Sequence, residues 1–423
     1  MTSFLAPRVS MSAPVVVLML TLLLAIQPVT TDLYLPALPT LQRALGASLA
    51  ATQLTLSALI ICFGAAQLVC GPLADRLGRR PVLLVGLAIY AVASVGSALA
   101  PSIDALVAWR ALQGAAMAAA VTCGRSIVRD LFAPHEGARV MARALGGLGV
   151  IAMLSPLVGA ALVHWFDWRA TLLMTALFGA ATLAFIALRF EETVPQRNPQ
   201  ATQLRAVLLN WRHVLGHPTF RAWTALTCCS WGGLFCLLAG SSFVFINMLG
   251  TSRLAYGAIL ASSAVAYIGG TWLCRRMLAR HGLRGTVKRG AWFSLAGGVS
   301  MAALSLAGIE AVWAIVLPQW LFAIGHGVMQ PCGQSGSVGP FPRQAGTAAS
   351  LSGFAMMLVA FGVGQVIGHT LNRSVLPLTL GVGGFAILVA TVAWTLVQRD
   401  GDPASFGAVG ALPALPAQSA PAR

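Results

Sequence analysis

Apolar residues gather in blocks of roughly 18 to 27 positions that recur about twelve times along the chain. Each block is long enough to cross a bilayer core of about 30 Å as a helix. They fall near 13–34, 50–70, 81–100, 103–124, 142–163, 168–188, 220–246, 254–274, 290–308, 311–331, 346–370 and 376–397. Two kinds of connection alternate between them: short ones, such as His164 to Trp168, and longer ones rich in arginine. The longest, Arg189 to Pro218, sits at the middle of the chain and carries Glu191, Glu192, four arginines and three prolines. The pattern predicts an all-α polytopic membrane protein with twelve transmembrane helices in two six-helix halves. The halves are expected at 13–188 and 220–397, with a central loop at 189–219 and tails at 1–12 and 398–423. The last tail is rich in Ala and Pro and poor in charge, which predicts disorder. The first apolar run, Pro14 to about Val29, exceeds the core of a typical secretory leader and is read as an uncleaved span.

Composition removes the soluble alternatives. The chain is 57% hydrophobic and 9% charged, with a mean hydropathy of +0.81, whereas a soluble domain carries about 25% charged residues. A net charge of +16 would suit nucleic acid, but its distribution points elsewhere. Of the 27 basic residues, 22 fall in the tails and the connections of one side. Four (Arg43, Arg169, Arg253 and Arg373) fall on the other side, and Arg110 lies within a span. Such a bias marks the cytoplasmic face, so both termini are expected there. The expected partner of this charge is anionic lipid, not nucleic acid. The eight cysteines lie in or beside apolar blocks without zinc-ligand spacing, which predicts small buried residues and no metal. No Walker lysine loop or Gly-x-Ser-x-Gly occurs, so neither direct ATP drive, nor a cofactor, nor an enzyme is expected. Small residues four apart, Gly364 with Gly368 and Ala142 with Gly146, predict close helix contacts.

The chain has 11 acidic residues, and Asp32 stands at the far end of the first apolar block. Arg110 stands inside the fourth. Ionisable groups at membrane depth are costly and are functional candidates by default. Asp32 is about 27 Å along a helix from Pro14, and Arg110 about 10 Å along one that runs back from Ile103. The two are therefore expected at comparable depth in the outer half, in contact or nearly so. A free aspartate titrates near 3.9. Burial raises such a value and a nearby guanidinium lowers it, so a carboxylate alternating between the two environments would bind and release a proton. Asp32 is expected to accept the proton and Arg110 to position it, against the alternative of an interfacial acid near a helix end. His326 is read either as a satisfied packing residue or as a cavity group. Gln27, Tyr34, Gln113, Gln319, Gln330 and Gln365 could offer polar contacts to a substrate, and Met153, Phe243 and Phe245 apolar ones.

The connection after the second block reads Gly71-Pro72-Leu73-Ala74-Asp75-Arg76-Leu77-Gly78-Arg79-Arg80-Pro81-Val82. A plain basic turn would explain the arginines but not the two glycines and Asp75 with them. The string resembles the G-x-L-a-D-r-x-G-r-k/r loop of the major facilitator superfamily. Arg110-Ala111-Leu112-Gln113-Gly114 is similar to that family's R-x-x-Q-G element. Pro156-Leu157-Val158-Gly159-Ala160 resembles the P-x-x-G-G end of its antiporter motif, with Ala160 for the second glycine and Ser155 before the proline. Three stretches resemble the bicyclomycin/chloramphenicol-resistance branch: Thr31-Asp32-Leu33-Tyr34-Leu35-Pro36-Ala37-Leu38-Pro39, Trp165-Phe166-Asp167-Trp168-Arg169 and Ala345-Gly346-Thr347-Ala348-Ala349-Ser350. Ser242 and Cys332 stand where that branch has Pro and Asn. The resemblance covers about residues 14 to 397. It implies a monomeric transporter of the bacterial inner membrane that exports small, largely apolar drugs in exchange for protons. The alternative is a proton-linked carrier of a natural metabolite. It further implies gating at Gly71, Asp75, Arg76, Gly78, Arg79 and Arg80, and close helix crossings at Gly114, Pro156 and Gly159.

Overall fold

The computed structural model describes residues 11–132, 134–194, 197–371 and 374–402. The helices are α1 (Ala13–Asp32), α2 (Leu38–Ala44), α3 (Leu49–Leu77), α4 (Arg79–Ala98), α5 (Ile103–Leu131), α6 (Pro134–Trp165) and α7 (Trp168–Arg189). There follow α8 (Leu204–Gly216), α9 (Pro218–Ser242), α10 (Arg253–Leu306), α11 (Val312–Val338), α12 (Ala345–Thr370), α13 (Leu376–Trp394) and α14 (Leu396–Asp400). Among the described residues, 11 helical segments are long and apolar enough to cross a bilayer. One of them, α10, is two spans. Its 54 residues would extend about 80 Å if straight. Gly282 breaks it at φ 63°, a conformation that a residue with a Cβ rarely adopts. The chain folds back there, because Gly270 and Gly297, on the two arms, both pack on α11 between Pro318 and Ile324. The count is therefore twelve, as the hydropathy pattern predicts.

At the end of the bundle away from the arginine-rich connections, the helix starts are set by side-chain caps. Ser48, Ser102 and Ser252 accept from the backbone N–H of Ala51, Ala105 and Ala255, and Asp167 from that of Trp168. Each cap satisfies one of the four amides that a helix N-terminus leaves free. Within the first six spans α3 and α4 pack on α5, α4 on α7, and α1 on α6. Within the second six α10 packs on α11 and α13, and α9 on α11, α12 and α13. Between the two sets α3 runs along α12, and α6 meets α10. Large apolar side chains stay exposed around the outside, among them Leu188 at 81% and Val92 at 62%, as a lipid-facing surface requires.

Several expectations need correction. The basic connection from Arg275 to Arg289, outside the expected spans, is helical on both sides of Gly282. The central segment contains α8, whose Leu204, Leu208, Leu209 and Leu215 are exposed while Val214 is buried. Of the small-residue pairs, Gly364 and Gly368 lie on Ser57 and Ala50 of α3, but Gly146 has open space around it. Of the tail read as disordered, 398–423, residues 398–400 belong to the helix α14; the residues beyond 402 and the N-terminal residues 1–10 lie outside the described residues.

Candidate functional site

Residues 33–38 close the capped end of the bundle. They follow α1 through a short turn of 3-10 helix, and Leu33, Tyr34, Leu35, Ala37 and Leu38 are all at least 97% buried. Asp32 sits at the start of this seal and is only half-buried. Its Oδ1 accepts a 2.8 Å hydrogen bond from the Thr31 hydroxyl. Gly159 of α6 crosses directly over Leu33; a Cβ there would come 2.1 Å from the Leu33 carbonyl oxygen. Gly257 of α10 packs against the Pro156 carbonyl and Ala160 on the same helix. The stretch from Pro156 to Ala160 is therefore a close crossing between the end of α1 and the second set of helices. Across that contact Tyr256 is fully buried, its hydroxyl 2.9 Å from that of Ser241 and within electrostatic range of Asp32.

Arg110 is completely buried. Its guanidinium donates to the Thr30 carbonyl at 3.2 Å and to Gln113 Oε1 at 2.6 Å, and stacks on Tyr34 with 4.3 Å to the ring centroid. Gln113 Nε2 in turn donates to Ser94 at 2.6 Å. Tyr34 shares a hydrogen bond of 2.9 Å with Thr55, and Thr30 one of 2.6 Å with Tyr90. These groups form one polar layer through the first six spans. The structure does not join Asp32 and Arg110 in an ion pair; they hold successive residues of α1, Thr31 and Thr30. Arg110 Nε has no hydrogen-bond partner.

The other expected cavity residues divide by position. Gln113 is fully buried inside the first set, tied to Arg110 and Ser94, and does not face an opening. His326 shares a 2.8 Å hydrogen bond with Ser230 and packs on Trp231 and Tyr267, so it sits as a satisfied core histidine of the second set. Phe243 and Phe245 are buried in a turn of π-helix that ends the α9 span, with Phe245 against Tyr256. Gln27 and Met153 are half-buried. Gly114 crosses α3 so closely that a Cβ would come 2.0 Å from the Leu59 carbonyl oxygen.

At the arginine-rich end the residues of the loop motif form a cluster within the first set. Arg79 is 5% exposed and bonds Asp75 at 2.6 Å and Asp130 of α5 at 3.1 Å. Thr193 also donates to Asp130. Gly78 turns at φ 108°, and the Glu192 carboxylate fills the space where its Cβ would be. That carboxylate accepts from the backbone N–H of Arg79 at 2.9 Å and of Arg80 at 3.1 Å, capping α4. Arg76 reaches Thr202, and Arg80 the Ala187 carbonyl. Gly71 faces Thr122. Sequence reasoning missed Asp130 and Glu192, which lie 51 and 113 residues from Arg79. Replacing Glu192 with alanine is expected to cost about 1–2 kcal/mol, because it strands the first amides of α4. A thermal melt in detergent measures this; glutamine at the same position should recover most of the loss.

Among the described residues no group of three or more His, Cys, Asp or Glu could hold a metal ion. Cys274 and Cys332 approach to 3.5 Å without a disulfide.

Comparison with known proteins agrees with this architecture. Residues 20–364 match the Major Facilitator Superfamily model. The chain is 31% identical over 353 residues to the chloramphenicol resistance protein of Pseudomonas aeruginosa, covering 81% of each chain. It is 24% identical over 402 residues to the bicyclomycin resistance protein homolog of Haemophilus influenzae, covering 91% of this chain and 96% of the relative. Among solved structures, a D-xylose-proton symporter superposes with a TM-score of 0.73 at 15% identity, over 92% of this chain and 98% of that one. Twelve spans in two sets of six, the loop motif built around Gly78 and Arg79, and a family match over most of the length lead to one conclusion: the chain belongs to the major facilitator superfamily of membrane transporters.

Proposed function

We propose that the protein exports small, largely apolar drugs across the bacterial inner membrane in exchange for protons, with both termini in the cytoplasm. The observation that carries this reading is the setting of Asp32. Among the described acids it alone stands within the bundle, at the contact between the two sets of spans, with no cation on it. Asp32 ends α1, but the buried stretch 33–38 follows it and Gly159 of α6 crosses the next residue, Leu33. Arg110 is a buried cation with no ion pair among the described residues, held by Thr30, two residues before Asp32 on α1. A buried charge of either sign is costly unless paired. Movement of the α6–α10 contact would change the surroundings of Asp32 and let its proton leave. Rocking of one six-helix set against the other then exposes the same carboxylate to alternate sides. The names of the resistance relatives support drugs as the substrate class. The basic excess supports the orientation. The cluster of Asp75, Arg79, Asp130 and Glu192 holds the arginine-rich face of one set together while the other set moves past it. The working unit is a monomer in contact with anionic lipid.

Inverted membrane vesicles test this directly. Energised vesicles should accumulate radiolabelled chloramphenicol, and a protonophore should discharge it. Accumulation driven by ATP in the presence of the protonophore would overturn the proposal.

A further inference from the structure

The arginine-rich end of the bundle holds a cavity of about 310 Å³ between α5 of the first set and α11 and α12 of the second. That volume lies at the lower end of small-molecule sites. Its charged lining group is Arg125, on the face of α5 that the loop motif does not use. Among the described residues this guanidinium makes no hydrogen bond and no ion pair, in contrast to Arg79, which holds two carboxylates. The described acids nearest along the same helix do not reach it: Asp130 is turned to Arg79 and Thr193. Arg129, the next cation on α5, bonds Ser126 and lies beside Gly346 of α12, outside the cavity lining. Opposite Arg125 the wall is polar but uncharged, with Gln334, Ser335, Ser337 and Ser352. The Ser352 side chain is 4% exposed, and its hydroxyl has no hydrogen-bond partner. Met356 and Val338 supply an apolar floor.

We propose that Arg125 makes this cavity selective for substrates that carry a carboxylate beside an apolar body. The assignment rests on the transport reading above and adds a charge preference within its substrate class; a neutral drug such as chloramphenicol binds there without the Arg125 contact. A guanidinium presents a planar fork that matches a carboxylate with two parallel hydrogen bonds, and a hydroxyl such as that of Ser352 can donate a third. Arg125 is exposed to the opening, so an anion entering the cavity meets a guanidinium with its donors free. The same charge raises the local concentration of anions and disfavours cationic drugs. Arg125 lies about 30 Å along α5 from Ile103, and Arg110, held beside the Asp32 end of α1, about 10 Å, so the substrate's charge and the proton-carrying carboxylate meet separate groups at different depths.

The test uses the purified full-length protein in detergent, without a proton gradient, so that it reads binding alone. The probes are nalidixate, ionised at neutral pH, and its neutral ethyl ester. The wild-type protein is expected to bind the carboxylate roughly tenfold or more tightly than the ester, as a charge-assisted bidentate contact implies. In Arg125→Gln the ratio should fall to about one, and in Arg125→Lys, which keeps the charge but not the fork, it should lie between. Equal binding of the two probes by wild type, or an undiminished ratio in Arg125→Gln, would overturn the assignment. The wild-type ratio decides the matter even if the glutamine variant does not fold. A failure of uncoupler sensitivity in vesicles would sink the antiport reading and leave this binding ratio untouched.

Discussion

Asp32→Asn is expected to abolish proton-driven accumulation of chloramphenicol in inverted vesicles while leaving the protein in the membrane and able to bind drug. Asparagine keeps the shape and still offers an oxygen to the Thr31 hydroxyl, so the local fold survives. It cannot change charge. One charge crossing 100 mV carries about 2.3 kcal/mol, equivalent to roughly a fiftyfold concentration ratio. The variant should therefore lose a gradient of that order and equilibrate the drug passively. Residual exchange of labelled for unlabelled drug across the membrane is the control that separates lost coupling from lost binding. Retention of the full, protonophore-sensitive gradient would remove Asp32 from the role.

Arg110→Leu should have the largest effect on stability. Leucine fills part of the volume but leaves the Thr30 carbonyl and Gln113 Oε1 without a donor in a dry layer, and removes the stacking on Tyr34. Each stranded buried acceptor costs about 1–3 kcal/mol, so a total near 3 kcal/mol is expected. It would appear as a lower melting temperature and a reduced folded yield. Lysine at this position restores charge but cannot reach both acceptors in one plane. Arg110→Lys should therefore recover part of the stability and less of the transport. A leucine variant as stable as the wild type would mean that the polar layer does not hold α1 and α5 together.

The spans and their number were legible because a bilayer imposes long apolar blocks, and the two arms of α10 are separated by the polar stretch around Gly282 as the pattern requires. A close crossing at Pro156 and Gly159 was implied by the family resemblance, but its partner, Leu33 beside Asp32, was not. What remained hidden depends on helix rotation and on pairing between distant segments. Hydropathy places Gln113 in a span but not on the face that meets Ser94 rather than an opening. Arg110 and Asp32 share a depth, yet Arg110 bonds the Thr30 carbonyl and Gln113 and stacks on Tyr34 rather than pairing with the carboxylate. Glu192 reads as one acid in a basic loop until the fold brings it onto the amide ends at Arg79 and Arg80. Arg125 looked like one more arginine in the cytoplasmic count; its place on the cavity wall comes from the approach of α11 and α12.

The account stands on Asp32 holding a proton that the substrate displaces. The direct measurement is proton release from lightly buffered, detergent-purified protein when chloramphenicol is added. Wild-type protein should acidify the medium by about one proton per bound drug, and Asp32→Asn should bind the drug without acidification. Equal release from both proteins would contradict the account.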